Sequence, residues 1–418
     1  MAMTDPISRA CQAMFALHRI EVFGGAIHVP AGLEYSCAFA WDSGYHALAL
    51  RHVDRAQAIE ELLTLYGANL TDGGLLAHER PLPGAEARTK LVTEWLGPIY
   101  RPDGRSWLID PPVAAYAAAR IFDPTLDADE TLLQLASDHL TATDAHRTLT
   151  PGGAPVILHP LESGADVSPL FDALVDTSSR RALLTHHRAL SVALDAIGYD
   201  LGQALAGHHA FVVADPIFCG WHLMALEAVA DAWRRAGAPR RAETFDRRAA
   251  ALAAEMIRLM WSDDLKLFVG YDHVGERQLC VATLGGVIAA GSRHMIDAGI
   301  ATQVADAHLN PETSRFWGPA GVAFNPLDGA EINPKALLWR GDVVWGATQY
   351  WAHLVLSRLG RIETAQRATA ELGVLIDSSG FREFYSAVTG KGYGAGEVGG
   401  FTWPALILEM AADAPGQG

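Results

Sequence analysis

Apolar residues recur three and four positions apart along most of this chain, a spacing that commits it to helices with one buried face. Between Asp215 and Gly237, residues Ile217, Trp221, Met224, Ala225, Ala228, Val229, Ala232 and Trp233 form one such face. Asp215-Pro216 is a start signal and Gly237 a stop. The same reading predicts helices over 8–22, 44–67, 111–122, 131–145, 168–206, 240–261, 284–290, 293–309, 342–359, 362–376 and 402–412, with the longer stretches split at turns. Links as short as Gly237-Ala238-Pro239 and Gly360-Arg361 join consecutive helices into hairpins. No composition shift or linker divides residues 1–418, so the expectation is one all-α domain. Periodicity leaves a closed toroid, an open solenoid and a bundle equally open. Long loops at 73–106, 148–164, 312–340 and 379–401 collect Trp, Tyr, Arg and carboxylates, and loops of that length build sites more often than they merely connect.

Charge narrows the function. Lys and Arg total 32 against 48 Asp and Glu, a net −16, so nucleic acid and anionic membranes are repelled over most of the surface. A small acid can still be held by one or two local arginines. Cys11, Cys37, Cys219 and Cys280 lie far apart and form neither a disulfide framework nor a zinc pattern. The first twenty residues lack the basic and continuous apolar regions of a signal peptide, and no run of about 18 apolar residues could span a membrane. The expected setting is a reducing cytoplasm.

Four segments could carry chemistry. In the first, 162–169, Asp166 sits on a Gly-containing loop before an apolar stretch; either it faces a cavity, or it or Ser168 caps the next helix. In the second, 380–390, Glu383 lies between aromatics in strand-like alternation, which desolvates a carboxylate; the alternative is an edge-strand glutamate paired with Arg382. The third, 35–46, places Tyr35, Trp41, Asp42 and His46 where an aromatic loop enters a helix. Rings covering C–H faces beside a hydroxyl-binding acid suit a carbohydrate, although Asp42 is equally suited to capping. In the fourth, Trp339-Arg340-Gly341 leads through Trp345 into a helix carrying Gln349, with Arg340 either a free donor or in a salt bridge to Asp342 or another core acid, and Trp345 then packing. Gly394-Ala395-Gly396-Glu397-Val398-Gly399 matches GxGxxG but lacks the strand-helix-strand setting of a dinucleotide site, and reads as a flexible loop. The adjacent pairs His186-His187 and His208-His209 diverge on a helix, so no metal site is expected.

Taken in order, Trp41-Asp42-Ser43 with His46, Glu162-Ser163-Gly164 with Asp166, Ser168 and Pro169, Trp339-Arg340-Gly341, and Glu383-Phe384-Tyr385 with Thr389-Gly390, Phe401 and Trp403 resemble glycoside hydrolase family 63. The resemblance is to its short bacterial members, similar to mannosylglycerate and glucosylglycerate hydrolases. It implies an (α/α)6 toroid and inverting hydrolysis of an α-glycoside without a cofactor. Asp166 would be the general acid and Glu383 the general base, the two roughly 6.5 to 9.5 Å apart to admit water. Tyr35, Trp41, Asp42, His46, Trp339, Arg340, Trp345, Gln349 and Trp403 would bind the small glycoside. Asp166 would need an apolar site or a neighbouring acid, and Glu383 a hydrogen-bond donor or Arg382. This chain departs from many relatives at Asp110, Ala165, Val167 and Asp342, all around the presumed sugar pocket. If glycerate is the aglycone, Arg80, Arg88, Arg101 or Arg105 would grip it. Two rival readings are a sugar epimerase or lyase using His46, His78 or His159, and a noncatalytic carbohydrate-binding protein.

Overall fold

A computed structural model describes residues 5–32, 35–126, 130–328 and 338–412. Residues 1–4, positions 329–337 of the 312–340 loop and the side chain of His208 lie outside the described residues.

Six segments close an inner ring. They are Ala40–Leu50, Val113–Ile121, Pro216–Arg235, the 3-10 helix Leu284–Gly291, Gly346–Arg358, and Trp403–Leu406 continuing into Ile407–Ala412. Each packs on the next and the last returns to the first, which makes the architecture an (α/α)6 toroid. Inner segments lack the single apolar stripe because protein surrounds them: all of Ala40–Leu50 is buried, Asp42, Ser43 and His46 included. Outer helices carry the striped pattern read from sequence. Pro239–Met260 buries Ala242, Phe245, Ala249, Leu252, Ala253, Met256, Leu259 and Met260 against Pro216–Arg235. Arg55–Asn69, Thr131–Arg147, Ile300–His308 and Ile362–Ser379 pair likewise with their inner neighbours. Among the described residues, no helix is long and apolar enough to cross a membrane, and all four cysteines are free thiols.

Several predicted boundaries move, each for a local reason. The 44–67 stretch is two helices because Asp54 caps the second, accepting from the N–H groups of Ala56 at 3.0 Å and Gln57 at 3.3 Å. The 168–206 stretch breaks at the polar run before Ser179, whose hydroxyl caps Arg180–Ala196 by accepting from Ala182 N–H at 3.1 Å. At 342–359 the helix starts only at Gly346, since the β-branched pair Val343–Val344 is a strand. Residues 284–291, rich in glycine, wind as a 3-10 helix, and 402–412 opens with a 3-10 turn around Pro404. The expected 73–106 loop contains a helix, Glu86–Leu96, of which no residue is fully buried, although Val92 and Leu96 pack half-buried against the core.

Candidate active site

A cavity of about 400 Å³ is lined by Trp41 and Asp42, Asp110, Trp345, and Phe401 and Trp403, at or just before the starts of inner segments, and by Gly164, Asp166, Trp339 and Glu383 from the loops between them. The ring therefore gathers at one end four segments that are far apart in sequence.

The Asp166 loop is anchored from below. Glu162, fully buried, accepts two hydrogen bonds from the Arg147 guanidinium at 2.9 and 2.6 Å and two from the backbone N–H groups of Ile109 at 3.1 Å and Leu158 at 2.7 Å. Ser168 takes the capping role, accepting from Leu170 N–H at 3.2 Å, which leaves Asp166 to line the cavity. Gly164, at φ +74°, lets the backbone pass over the ring of Trp41; a Cβ there would stand 3.0 Å from its atoms. Burial pushes the Asp166 carboxyl up to about 6, its own backbone N–H opposing and the nearby charge of Glu383 reinforcing the rise.

Glu383 enters from the opposite side of the sequence. It precedes strand Phe384–Ser386, the centre of a three-stranded sheet in which Tyr385 pairs with Val344 and Gly392, so the strand is observed, buried on both faces rather than alternating. Glu383 is 4% exposed and accepts from the Tyr35 hydroxyl at 2.5 Å and from the Ala395 N–H at 2.7 Å. Burial and then the Glu383 charge hold Tyr35 well above the usual phenol range, so it stays a donor. Arg382 donates to the Gly394 carbonyl at 2.9 Å and approaches Glu397. The GxGxxG stretch thus has a specific task, wrapping the Glu383 carboxylate. A Cβ on Gly394, at φ +72°, would lie 2.3 Å from Glu383 Oε2. Gly394→Ala should therefore displace this carboxylate and lower kcat about 100-fold, with a stability loss of only about 1 kcal/mol; steady-state kinetics and urea unfolding of the same sample check both.

Aromatic rings complete one wall. Trp339 stacks on Trp345 at 4.4 Å, Trp345 meets Trp403 at 5.2 Å, and Trp403 meets Trp41 at 6.0 Å. Asp42 does not cap its helix; it accepts from the Trp403 indole N–H at 2.7 Å. Burial pushes Asp42 up to about 6, against the pull of His46 and Trp403. The indole N–H groups of Trp41 and Trp345 and Asp110 Oδ1 make no protein hydrogen bond among the described residues. Flat apolar faces thus alternate with donors and acceptors, as a sugar's C–H faces and hydroxyls require.

Not every predicted residue reaches the cavity. His46 stands behind Asp42, bonded to Glu61 at 2.8 Å and the Thr402 hydroxyl at 2.7 Å. Gln349 is fully buried beside Gly321. Arg340 pairs with Asp172, with one bond at 3.0 Å, rather than with Asp342. Among the arginines proposed for glycerate only Arg88 lines the cavity. Arg80 donates to the Ala68 carbonyl, Arg101 lies 3.8 Å over Trp107, and Arg105 pairs with Asp103. Of the three rival histidines only His78 lines it; burial keeps its ring below the usual imidazole range, and His159 is buried against the His187 carbonyl. Sequence reasoning did not place Glu79 or the Val92, Trp95 and Leu96 side of the cavity, which fall in the 73–106 stretch read only as a loop.

Residues 35–403 match the mannosylglycerate hydrolase MGH1-like glycoside hydrolase domain. The chain belongs to this family. The MGH1-like chain is a glycoside hydrolase. It is 26% identical to the mannosylglycerate hydrolase of Thermus thermophilus, over 92% of this chain and 96% of the relative. With mannosylglycerate hydrolase MGH1 of Selaginella moellendorffii it shares 25% identity over 95% and 84% of the two chains. Its backbone superposes on the crystal structure of a GH63 mannosylglycerate hydrolase from Thermus thermophilus in complex with Tris and D-glycerate. The TM-score is 0.76 at 22% identity, covering 97% of this chain and 99% of the other. The yeast neutral trehalase is more distant, at TM-score 0.57 and 13% identity over 96% and 79%. These structural likenesses establish the shared toroid.

Proposed function

We propose that this MGH1-like chain, acting as one catalytic unit, hydrolyses the α-glycosidic bond of a short α-mannoside or α-glucoside with inversion, Asp166 serving as general acid and Glu383 as general base. The observation that carries this reading is the contrast between two carboxyls in one cavity. Asp166 sits where burial favours its protonated form, whereas Glu383 receives two hydrogen bonds from Tyr35 and Ala395. Such a division of environments is how one site keeps an acid and a base at the same pH.

In the proposed step, water bonded to Glu383 loses a proton to it and attacks the anomeric carbon as the bond to the aglycone breaks. Asp166 protonates the departing oxygen, and no covalent sugar intermediate forms. Trp41, Asp42, Trp345 and Trp403 would enclose the glycone, while Trp339 backs Trp345 and His46 holds the Asp42 end of its helix. Water is the only co-reactant. Relatives bearing the name mannosylglycerate hydrolase make glycerate glycosides the first compounds to try. Proton NMR of the first seconds of turnover tests the reading. It should show the β-anomer of mannose or glucose appearing first and relaxing to the mixture; initial α-anomer would refute inversion.

A further inference from the structure

We infer that the aglycone end of this cavity takes an uncharged group with an apolar face rather than an acid, an inference that rests on the glycosidase reading above. Three observations lead there.

Among the described residues, the cavity wall carries five carboxyl side chains, Asp42, Glu79, Asp110, Asp166 and Glu383, against a single arginine, Arg88. That arginine is already engaged. It donates to Glu79 at 2.9 and 3.4 Å, to Cys37 Sγ at 2.7 Å and to the Tyr100 hydroxyl at 3.4 Å, and it lies 5.4 Å over the ring of Phe39. Glu79 is buried, which opposes its charge, but Arg88 and then His78 outweigh that cost and hold it below the usual carboxylate range. The pair is internally neutral, so a carboxylate entering here would have to break it or remain unpaired among acids.

The remaining wall is apolar. No residue of helix Glu86–Leu96 is fully buried, and its Val92, Trp95 and Leu96 line the cavity together with Ile99 and Leu338. Trp95 is 45% exposed and Leu338 39% exposed, an apolar rim of the kind that marks a ligand site on an otherwise charged surface. This wall lines the same cavity as Asp166, the group that would protonate the departing oxygen, and its Phe39, which carries Arg88 on its face, packs 6.1 Å from Tyr35. A group leaving the anomeric carbon meets rings and aliphatic chains there and, among the described residues, no available cation.

A panel on one glycone separates charge from apolar contact. The purified protein is assayed with α-mannosylglycerate, its uncharged counterpart α-mannosylglycerol, methyl α-mannoside and benzyl α-mannoside, and with the four α-glucosides. The expected order has the glycerol compound exceeding the glycerate compound in kcat/KM by about tenfold or more, and benzyl exceeding methyl by a similar factor. Trp95→Ala should reduce the benzyl-to-methyl ratio about tenfold; with its side chain outside the core, that variant should fold. A glycerate compound hydrolysed as well as or better than its glycerol counterpart, or a benzyl-to-methyl ratio unmoved by Trp95→Ala, overturns the inference while leaving the glycosidase reading intact. No hydrolysis of any member overturns that reading and the inference with it.

Discussion

Asp166→Asn and Glu383→Gln should each lower kcat by about 100- to 10,000-fold while leaving the fold intact, because each change is isosteric and removes only a proton transfer. The two losses should differ in character. Replacing the acid should matter less for an aglycone that departs readily as an anion, such as p-nitrophenol, whereas replacing the base should hurt all substrates alike. The pH profile separates them further. Asp166, raised to about 6, donates only while protonated, so activity should persist below that value and fall as pH rises through it. Asp42 is raised to the same range. Loss of the alkaline limb in Asp166→Asn would assign that limb to the acid; an unchanged limb with full turnover would remove Asp166 from the mechanism.

The second large effect concerns stability. Arg147→Leu leaves the Glu162 carboxylate fully buried with only the Ile109 and Leu158 N–H groups as donors, and breaking a buried pair in this way costs about 3–5 kcal/mol. Urea unfolding at neutral pH should show that loss, and changing both residues to leucine should recover part of it, since an apolar pair leaves no charge stranded. Because the pair anchors the Asp166 loop, the single variant should also lose activity at temperatures where it remains folded. A change within about 0.5 kcal/mol would mean that water reaches Glu162 and the anchor is not dry.

Much of this arrangement was legible in residues whose neighbours restrict them. The stripe of Pro239–Met260 needed only its spacing, and the Asp215-Pro216 start is realised by an aspartate accepting from the N–H groups of Ile217 and Phe218, both at 2.9 Å. Asp166 and Glu383 could be picked out as acids on apolar loops. Ring closure was different, since periodicity describes a helix and says nothing of which helix it meets. Arg340 was legible as either a donor at a helix entrance or an ion-pair partner of an acid, but the acid it meets, Asp172, lies 168 positions away and no local pattern announces it. Helix Glu86–Leu96 escaped notice for another reason: its apolar positions Val92, Trp95 and Leu96 span a single turn inside a long stretch rich in Gly, Pro and charged residues, and none of them is fully buried. The glycine loop at 394–399 was read as slack chain because its purpose, clearance for one carboxylate, is visible only from Glu383.

The hydrogen bond from Trp403 to Asp42 joins positions 361 apart, and Thr402 binds both His46 and the Pro30 carbonyl. The site therefore straddles the seam where the first and last inner segments meet, and contacts of such sequence separation are slow to form. During synthesis a nascent chain has no working site until Trp403 has left the ribosome. In a refolding experiment, recovery of activity would trail recovery of helical signal and would report the closing of the ring itself.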